Sequence, residues 1–532
     1  MLFFFLFGKN FARLFLKNKS LSKNSLFMNY DALLVYLGFF WYGNILVLLN
    51  FFIPIEYVAL FSFLFIFVIE KKSILEFFKL NKFSLIIVGF LLTSIYNNNP
   101  SHDANAYHFY IQKLFQNEKI NLGISNFESH YGLGSIFDYV SSTLWVGNNY
   151  GFIQLINLIF LASFFNFLIS SFELRNEFFK NITLSIIIIG LLDNFGFGGG
   201  RNGFFFIQEI GKFDSSYAII FFLCCLLFYI VSLERSYESV NFYILLYFLT
   251  FLSQIRTMGY LFFIAIFILL FFEKKYFLLL KNKGLILFNS LWVTKSIFST
   301  GCLVYPVSFT CLDILPWESS HQVYSFSKSA VINNRNPNVK NMEIISFNWI
   351  EDYWLSENID YLYNFVLTFL FIFLFFKLFN KNKNKFIKHK TNLIKFNLAL
   401  FITSWLFLYP NYRFVSGLLV SAYIFFNIDK ISNSKLLIGN SKKISLIVTG
   451  FLIASASLVV RIDSYKIFMT DFNQDVFSKY EIQSPILEKR VDSYGFKSDE
   501  IYCFGQLNCS NSIQKTNKMK IGNYSVYLPI NN

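Results

Sequence analysis

Charged side chains are scarce in this chain: Asp, Glu, Lys and Arg make up 15% of its 532 residues, against roughly 25% in a soluble domain. The deficit falls in repeated apolar runs long enough to cross a bilayer, which favours a polytopic membrane protein over a water-soluble globule. Other absences narrow the function. No G-x-S-x-G elbow supports a serine hydrolase, and no P-loop or dinucleotide fingerprint occurs. No basic patch interleaved with aromatics lies outside the apolar runs, so nucleic acid is not an expected partner despite a formal charge of +14. No internal repeat supports an inverted-repeat transporter. The opening "MLFFFLFGKNF" has a short apolar run and no small-residue cleavage site, so it does not read as a removable signal peptide.

What is present is apolar and aromatic, 55% and 21% of residues, with 74 Phe. Spans are expected at 30–52, 57–70, 83–96, 150–172, 182–194, 215–232, 241–253, 259–273, 284–298, 362–380, 395–409, 414–428 and 444–460, about thirteen by hydropathy. Segment 137–149 is a further interfacial or re-entrant candidate. With the amino terminus in the cytoplasm, about 26 Lys and Arg fall in inside loops and about 9 in the opposite loops before the tail. The basic excess is therefore a record of topology. That orientation puts 97–136, 195–214, 299–361 and 461–532 on the far side. The expected fold is an all-α polytopic membrane bundle over residues 1–460, followed by a small mixed extracytoplasmic tail domain over 461–532, where "YSVYLPI" suggests short strands. Cys302 and Cys311 share one outer loop and Cys503 and Cys509 share the tail. Both pairs are candidate disulfides in an oxidising compartment, with free thiols the alternative; their spacing does not suit zinc.

The polar islands between the apolar runs carry the chemistry. In "YNNNPSHDANAYHFYIQKLF", residues 96–115, Asn99 suits an N-cap and Pro100 the first helical position. Asp103 then lies in the first turn, where the positive helix end favours its anion. Residues 103, 107, 110, 111 and 114 would share one face. The plain reading is a helix start with interfacial tyrosines. The functional one makes Asp103 an orienter or base at the membrane boundary, with His102 or His108 contacting phosphate. Basic residues are rare on the outer side, so Arg201, Lys212, Arg256 and Arg413 are the phosphate-binding candidates, or else arginines snorkelling to lipid headgroups. The island "DNFGFGGGRNGFFFIQEIGKFDSS" ends in Asp214, a second acidic candidate. In "CLDILPWESS", Trp317 offers a face for a sugar ring or an interfacial anchor.

Taken together, these motifs resemble a known group. Asp103-x-x-x-Tyr107-His108 in a first large outer loop is similar to the acidic loop motif of the GT-C superfamily of integral-membrane glycosyltransferases. More narrowly, it resembles bacterial multi-pass proteins linked to surface-polysaccharide assembly. "STGCLVYP" at 299–306, "LPW" at 315–317, "YPNYRF" at 409–414 and "IYCFGQLNC" at 501–509 match that group's later landmarks in order. One departure is His102, which stands where superfamily enzymes often carry a second acidic residue.

The resemblance implies transfer of a sugar from a polyprenyl-phosphate donor to a glycan or lipid acceptor, on the periplasmic face of a bacterial inner membrane. It implies catalytic roles among Asp103, His102, Tyr107, His108 and Asp214. Substrate binding would fall to Arg413, Arg201, Lys212, Arg256, Tyr305 and Trp317. A divalent ion, Mg or Mn, would bind at Asp103 and Asp214. The rival readings are a transporter or flippase for a lipid-linked glycan, and an O-antigen polymerase or ligase. A transporter should carry ionisable residues near mid-span, whereas polar residues here gather at span ends.

Overall fold

The computed structural model describes residues 1–16, 30–56, 58–80, 85–86, 88–89, 92, 100–101, 103–173, 177–192, 209–234, 237, 239–318, 320–335, 370, 373–374, 392–408, 416–428, 431 and 516–529. The described chain is mostly helical, with one small sheet at its carboxyl end. Among the described residues three helices are long and apolar enough to cross a membrane: Tyr30–Asn50, Gly151–Ser171 and Asp214–Glu234. Five shorter apolar helices accompany them, Val58–Ile69, Val240–Ile255, Thr257–Phe272, Ile394–Leu406 and Gly417–Phe426.

This is a correction to the expectation of about thirteen spans. A helix rises about 1.5 Å per residue and the hydrocarbon core is about 30 Å thick. The 12 residues of Val58–Ile69 and the 16 of Val240–Ile255 therefore fall short of a crossing by themselves. The expected spans 83–96, 362–380 and 444–460 lie wholly or mostly outside the described residues.

We label the main helices α1 Leu2–Phe15, α2 Leu34–Asn50, α3 Val58–Ile69, α4 Ser73–Leu80, α5 Phe109–Asn117, α6 Ile136–Ser142, α7 Leu155–Glu173, α8 Glu177–Leu192, α9 Asp214–Glu234, α10 Val240–Ile255, α11 Tyr260–Phe272, α12 Lys283–Thr300, α13 Ser320–Arg335, α14 Asn392–Leu408 and α15 Ser416–Phe426. The opening residues form α1. Its backbone lies directly on α2: a methyl group at Gly38 would overlap the Phe4 carbonyl, and one at Gly8 the Leu34 carbonyl. Gly417 of α15 meets the Ala218 backbone of α9 in the same way. Small residues permit such approaches where lipid supplies little hydrophobic drive between helices.

The outward faces of α3 and α11 stay apolar, with Phe61, Leu64, Val68, Phe267 and Phe271 exposed. Contiguous apolar surface of this kind is what a membrane or a partner covers. Polar contacts collect at the two helix ends. At one end Lys9 pairs with Asp31 and Glu76, Arg13 pairs with Glu70, and Tyr30 donates to Asn241 at 2.9 Å. At the other, α2 finishes at Asn50, α9 begins at Asp214, α10 finishes beside Arg256 and α12 finishes at Thr300. The first loop folds over this second end, Asn50 donating to the carbonyl of Glu118 at 3.0 Å.

The tail ends in a hairpin, β1 Thr516–Ile521 and β2 Tyr524–Pro529, paired antiparallel with Ile521 opposite Tyr524. It docks on the first loop. The Leu122 N–H donates to Ser525 and the Tyr527 N–H donates to Leu122, each at 2.9 Å, and Tyr524 donates to the Phe51 carbonyl at 2.8 Å. The carboxyl end of the chain thus lies at the same end of the bundle as the first loop.

Candidate functional site

The first loop does not start its helix where the sequence suggests. Pro100 forms a bridge with Ile210 instead of opening a helix, and the Ser101 hydroxyl accepts the Ala104 N–H at 3.1 Å. Asn99 lies outside the described residues. Helical structure then begins at Asp103 and widens at once into a π turn, Ala104–His108, closed by the Phe109 N–H on the Ala104 carbonyl. A π turn inserts a residue into the helical register, so residues beyond it rotate relative to Asp103. The expected single face of 103, 107, 110, 111 and 114 is broken accordingly. Tyr110, Ile111 and Leu114 are buried in the core, and Tyr110 stacks on Tyr131 with centroids 4.9 Å apart.

The rotation brings His108 to a carboxylate. His108 Nδ1 stands 2.8 Å from Oδ1 of Asp138, which is fully buried. Gln112, one turn further along α5, donates to the same oxygen at 3.1 Å. The Ser135 N–H and hydroxyl both donate to Asp138 Oδ2 at 2.9 Å, so Asp138 also forms the capping box of α6. Burial by itself would raise this carboxyl's pKa. The charge of His108 and the hydrogen bonds from His108, Ser135 and Gln112 outweigh it and hold the group below the usual carboxylate range. Asp138 is therefore an acceptor, and His108 carries its proton on Nδ1. Lys295 of α12, itself buried, donates to the Gly134 carbonyl at 2.8 Å and interacts electrostatically with Asp138.

Three further pieces meet this dyad. The 209–214 segment runs alongside the π turn: Ser101 N–H donates to the Ile210 carbonyl at 3.0 Å, and Gly211, at φ +79°, faces the Ala104 methyl so closely that a side chain there would collide. Phe213 stacks on Phe137 at 4.7 Å and lies edge-on to His108. The next residue, Asp214, is buried and ion-paired with Arg256, whose guanidinium also covers the Tyr217 ring at 4.9 Å. Thr257 then donates to the Tyr305 carbonyl at 2.8 Å, and the Tyr305 hydroxyl to the Ser129 carbonyl at 2.7 Å. A chain of contacts thus joins Tyr107, His108, Asp138, Phe213, Asp214, Arg256 and Tyr305 at one end of the bundle.

A second imidazole stands beside the first. His130 Nδ1 is 2.6 Å from Oε1 of Glu128, a carboxylate only 3% exposed. The Tyr107 ring stacks on His130 at 5.0 Å and lies 4.3 Å from His108.

Other sequence candidates fall elsewhere. Trp317 donates from its indole to the Ile297 carbonyl at 3.0 Å, and its own carbonyl accepts Asn126 at 2.8 Å; it props the hairpin-bearing loop against α12. The Lys212 carbonyl accepts Asn157 at 2.6 Å, tying α7 to the second loop. Cys302 and Cys311 form a disulfide. His102, Arg201, Arg413, Cys503 and Cys509 lie outside the described residues.

The residues do not compose a metal centre. Among the described residues no three His, Cys, Asp or Glu side chains gather to hold an ion, and the carboxylate of Asp214 is committed to Arg256. A cavity beside Tyr139, Asn121 and Lys295 measures about 10 Å³, room for one water and not for a sugar. His108 and His130 are partly exposed at the loop surface.

A family model described as "Domain of unknown function (DUF8201)" matches residues 1–420. The chain belongs to that family. No curated protein and no solved structure matches it. The DUF8201 match contains both imidazole–carboxylate pairs and the Asp214–Arg256 pair, and ends before the carboxyl-terminal hairpin. Sequence reading missed Asp138, Glu128, His130 and Lys295 in this DUF8201 site. The available signal was Ser-x-x-Asp at 135–138, a capping box opening an apolar run.

Proposed function

We propose that this DUF8201 protein is a membrane glycosyltransferase of the GT-C kind, moving a sugar from a polyprenyl-phosphate-linked donor to a cell-surface glycan or lipid acceptor. The chain is read as lying in a bacterial inner membrane with its active face extracytoplasmic. The observation that carries the reading is the His108–Asp138 pair at the apolar bundle's end, joined to Asp214–Arg256 and Tyr305. A prenyl carrier presents its phosphate at that depth, and the motif around Asp103, Tyr107 and His108 resembles the superfamily's first-loop motif.

The chemistry follows from the tautomer. Asp138 accepts Nδ1–H of His108, so the other ring nitrogen is the one that takes a proton. The acceptor hydroxyl attacks C1 of the sugar while His108 removes its proton. The bond from C1 to the phosphate oxygen breaks, and its electron pair stays on the phosphate. Asp103, at the start of the same helix, orients the hydroxyl. Arg256 supplies fixed positive charge towards the departing phosphate.

The test is complementation in a host lacking the protein, with His108→Gln and Asp103→Asn assayed for surface glycan and for lipid-linked sugar. Loss of glycan with accumulation of lipid-linked sugar on the outer leaflet, at normal protein level, is the expected result. Normal glycan in His108→Gln removes the mechanism. Accumulation confined to the cytoplasmic leaflet identifies a flippase instead.

A further inference from the structure

His130 is not needed to deprotonate an acceptor, yet it is built as carefully as His108. Glu128 Oε1 accepts the His130 N–H at 3.2 Å as well as Nδ1 at 2.6 Å. A buried carboxylate spending one oxygen on two donors of a single residue holds that residue's backbone and ring together. The ring is also clamped from two sides, stacked on Tyr107 and edge-on to Phe326 of α13 at 4.9 Å. Tyr305 closes the arrangement, its ring parallel to Phe326 and its hydroxyl on Ser129. A turn that only needed a cap would leave the ring to solvent. Here two rings, those of Tyr107 and Phe326, fix its plane while a third of the side chain stays accessible.

The two imidazoles share Tyr107, so their centroids are no farther apart than 4.3 and 5.0 Å laid end to end. With Nδ1 at Glu128, Nε2 is the ring nitrogen left to meet a ligand, and an oxyanion that shares a proton with it accepts its N–H. A fixed N–H donor backed by a buried anion suits an oxyanion of phosphate size.

We infer that His130, held by Glu128 and flanked by Tyr107, is the phosphate-binding residue of the site, taking the phosphoryl group of an amphiphilic prenyl-phosphate substrate while His108 takes the acceptor proton. In the transfer step the electron pair released from the C1–O bond rests on the phosphate oxygen that accepts the His130 N–H, so no further reactant is required. The inference rests on the glycosyltransferase reading for its substrate but not for its test.

The test is equilibrium binding of farnesyl phosphate to the purified full-length protein in detergent, with farnesol and inorganic phosphate as comparators. Wild type should bind farnesyl phosphate at least tenfold tighter than farnesol. His130→Gln and Glu128→Gln should each weaken that binding about tenfold, the range of one charge-assisted hydrogen bond. Glu128→Gln keeps the His130 ring, and the fold of each variant is checked by its melting temperature. Competition by inorganic phosphate supports the site with phosphate alone as a sufficient ligand; competition only by farnesyl phosphate supports it with the lipid required. Equal affinity for farnesyl phosphate and farnesol, or undiminished affinity in His130→Gln, overturns the assignment. Phosphate binding that depends on His130 in a protein without transferase activity retires the glycosyltransferase reading alone. Transfer that depends on His108 while His130→Gln binds normally retires this one alone.

Discussion

His108 and Asp138 are 30 residues apart in sequence and 2.8 Å apart in space, with the carboxylate at 0% exposure and the imidazole side chain at 18%. The pair therefore behaves as a buried anion with a half-buried proton carrier at its mouth. Because folding lowers the Asp138 pKa, the folded state holds this proton less tightly than the unfolded chain does. The stability it contributes is complete above the unfolded carboxyl value, about 3.9, and is lost as pH falls through the lower folded value. Wild type should lose melting temperature more steeply than Asp138→Asn below about pH 4, and the variant should be less stable at pH 7. Parallel melting curves across that window would show that Asp138 is not held as an anion.

Asp214 and Arg256 join the start of α9 to the end of α10. Asp214 is buried, whereas Arg256 is 27% exposed at its side chain, so removing the arginine strands a charge that water does not reach. Arg256→Gln should cost about 3 kcal/mol, near the lower bound for breaking a buried pair. Asp214→Asn combined with Arg256→Gln should recover much of that loss, because no unpaired charge remains. The check is a double-mutant cycle by denaturant titration in a fixed detergent. A double variant as unstable as the sum of the singles removes the coupling.

Much of the site's location was legible in the sequence. Polar islands among apolar runs stand out, and Tyr107, His108, Asp214, Arg256 and Tyr305 were all read as site residues; the structure brings them to one end. Asp138 was not legible as their hub. It sits within "SIFDYVSS", where local pattern sees a cap, and its meaning comes from partners 26 and 30 residues upstream. Glu128 and His130 were passed over because neither flanks a span. The π turn was also hidden, since nothing in "ANAYH" distinguishes an i→i+5 closure from an ordinary helix. The α1–α2 contact escaped for a different reason. Helices apolar all round have no periodic stripe, so only the glycines marked the close faces.

Those glycines yield a paired prediction. Gly38→Ala should cost several kcal/mol or prevent folding, because the new methyl group meets the Phe4 carbonyl, backbone that cannot swing aside. Gly89→Ala has open space around the added carbon and lies in helical conformation, so it should gain up to about 1 kcal/mol from helix propensity. Opposite shifts in melting temperature are expected for the same chemical change. Equal shifts would mean that α1 does not lie on α2 as described.

The Cys302–Cys311 disulfide closes the loop that carries Tyr305, and it makes sidedness measurable. Cross-linking a loop of about ten residues removes unfolded-state entropy worth at most about 3 kcal/mol, so Cys302→Ser with Cys311→Ser should lower stability by that amount or less. Cys224 and Cys225 are buried in α9, which leaves them slow to react. In a variant with Cys503 and Cys509 changed to Ser, intact spheroplasts should take up no membrane-impermeant maleimide until an impermeant reductant is added, and then two labels per chain. That outcome requires the His108 end of the bundle to face the oxidising side, because the loop bonds through Tyr305 to Ser129 and Thr257 at that end. Labelling without reductant shows the thiols free. Labelling confined to inverted vesicles turns the bundle over, and with it the side on which any prenyl-phosphate substrate would have to arrive.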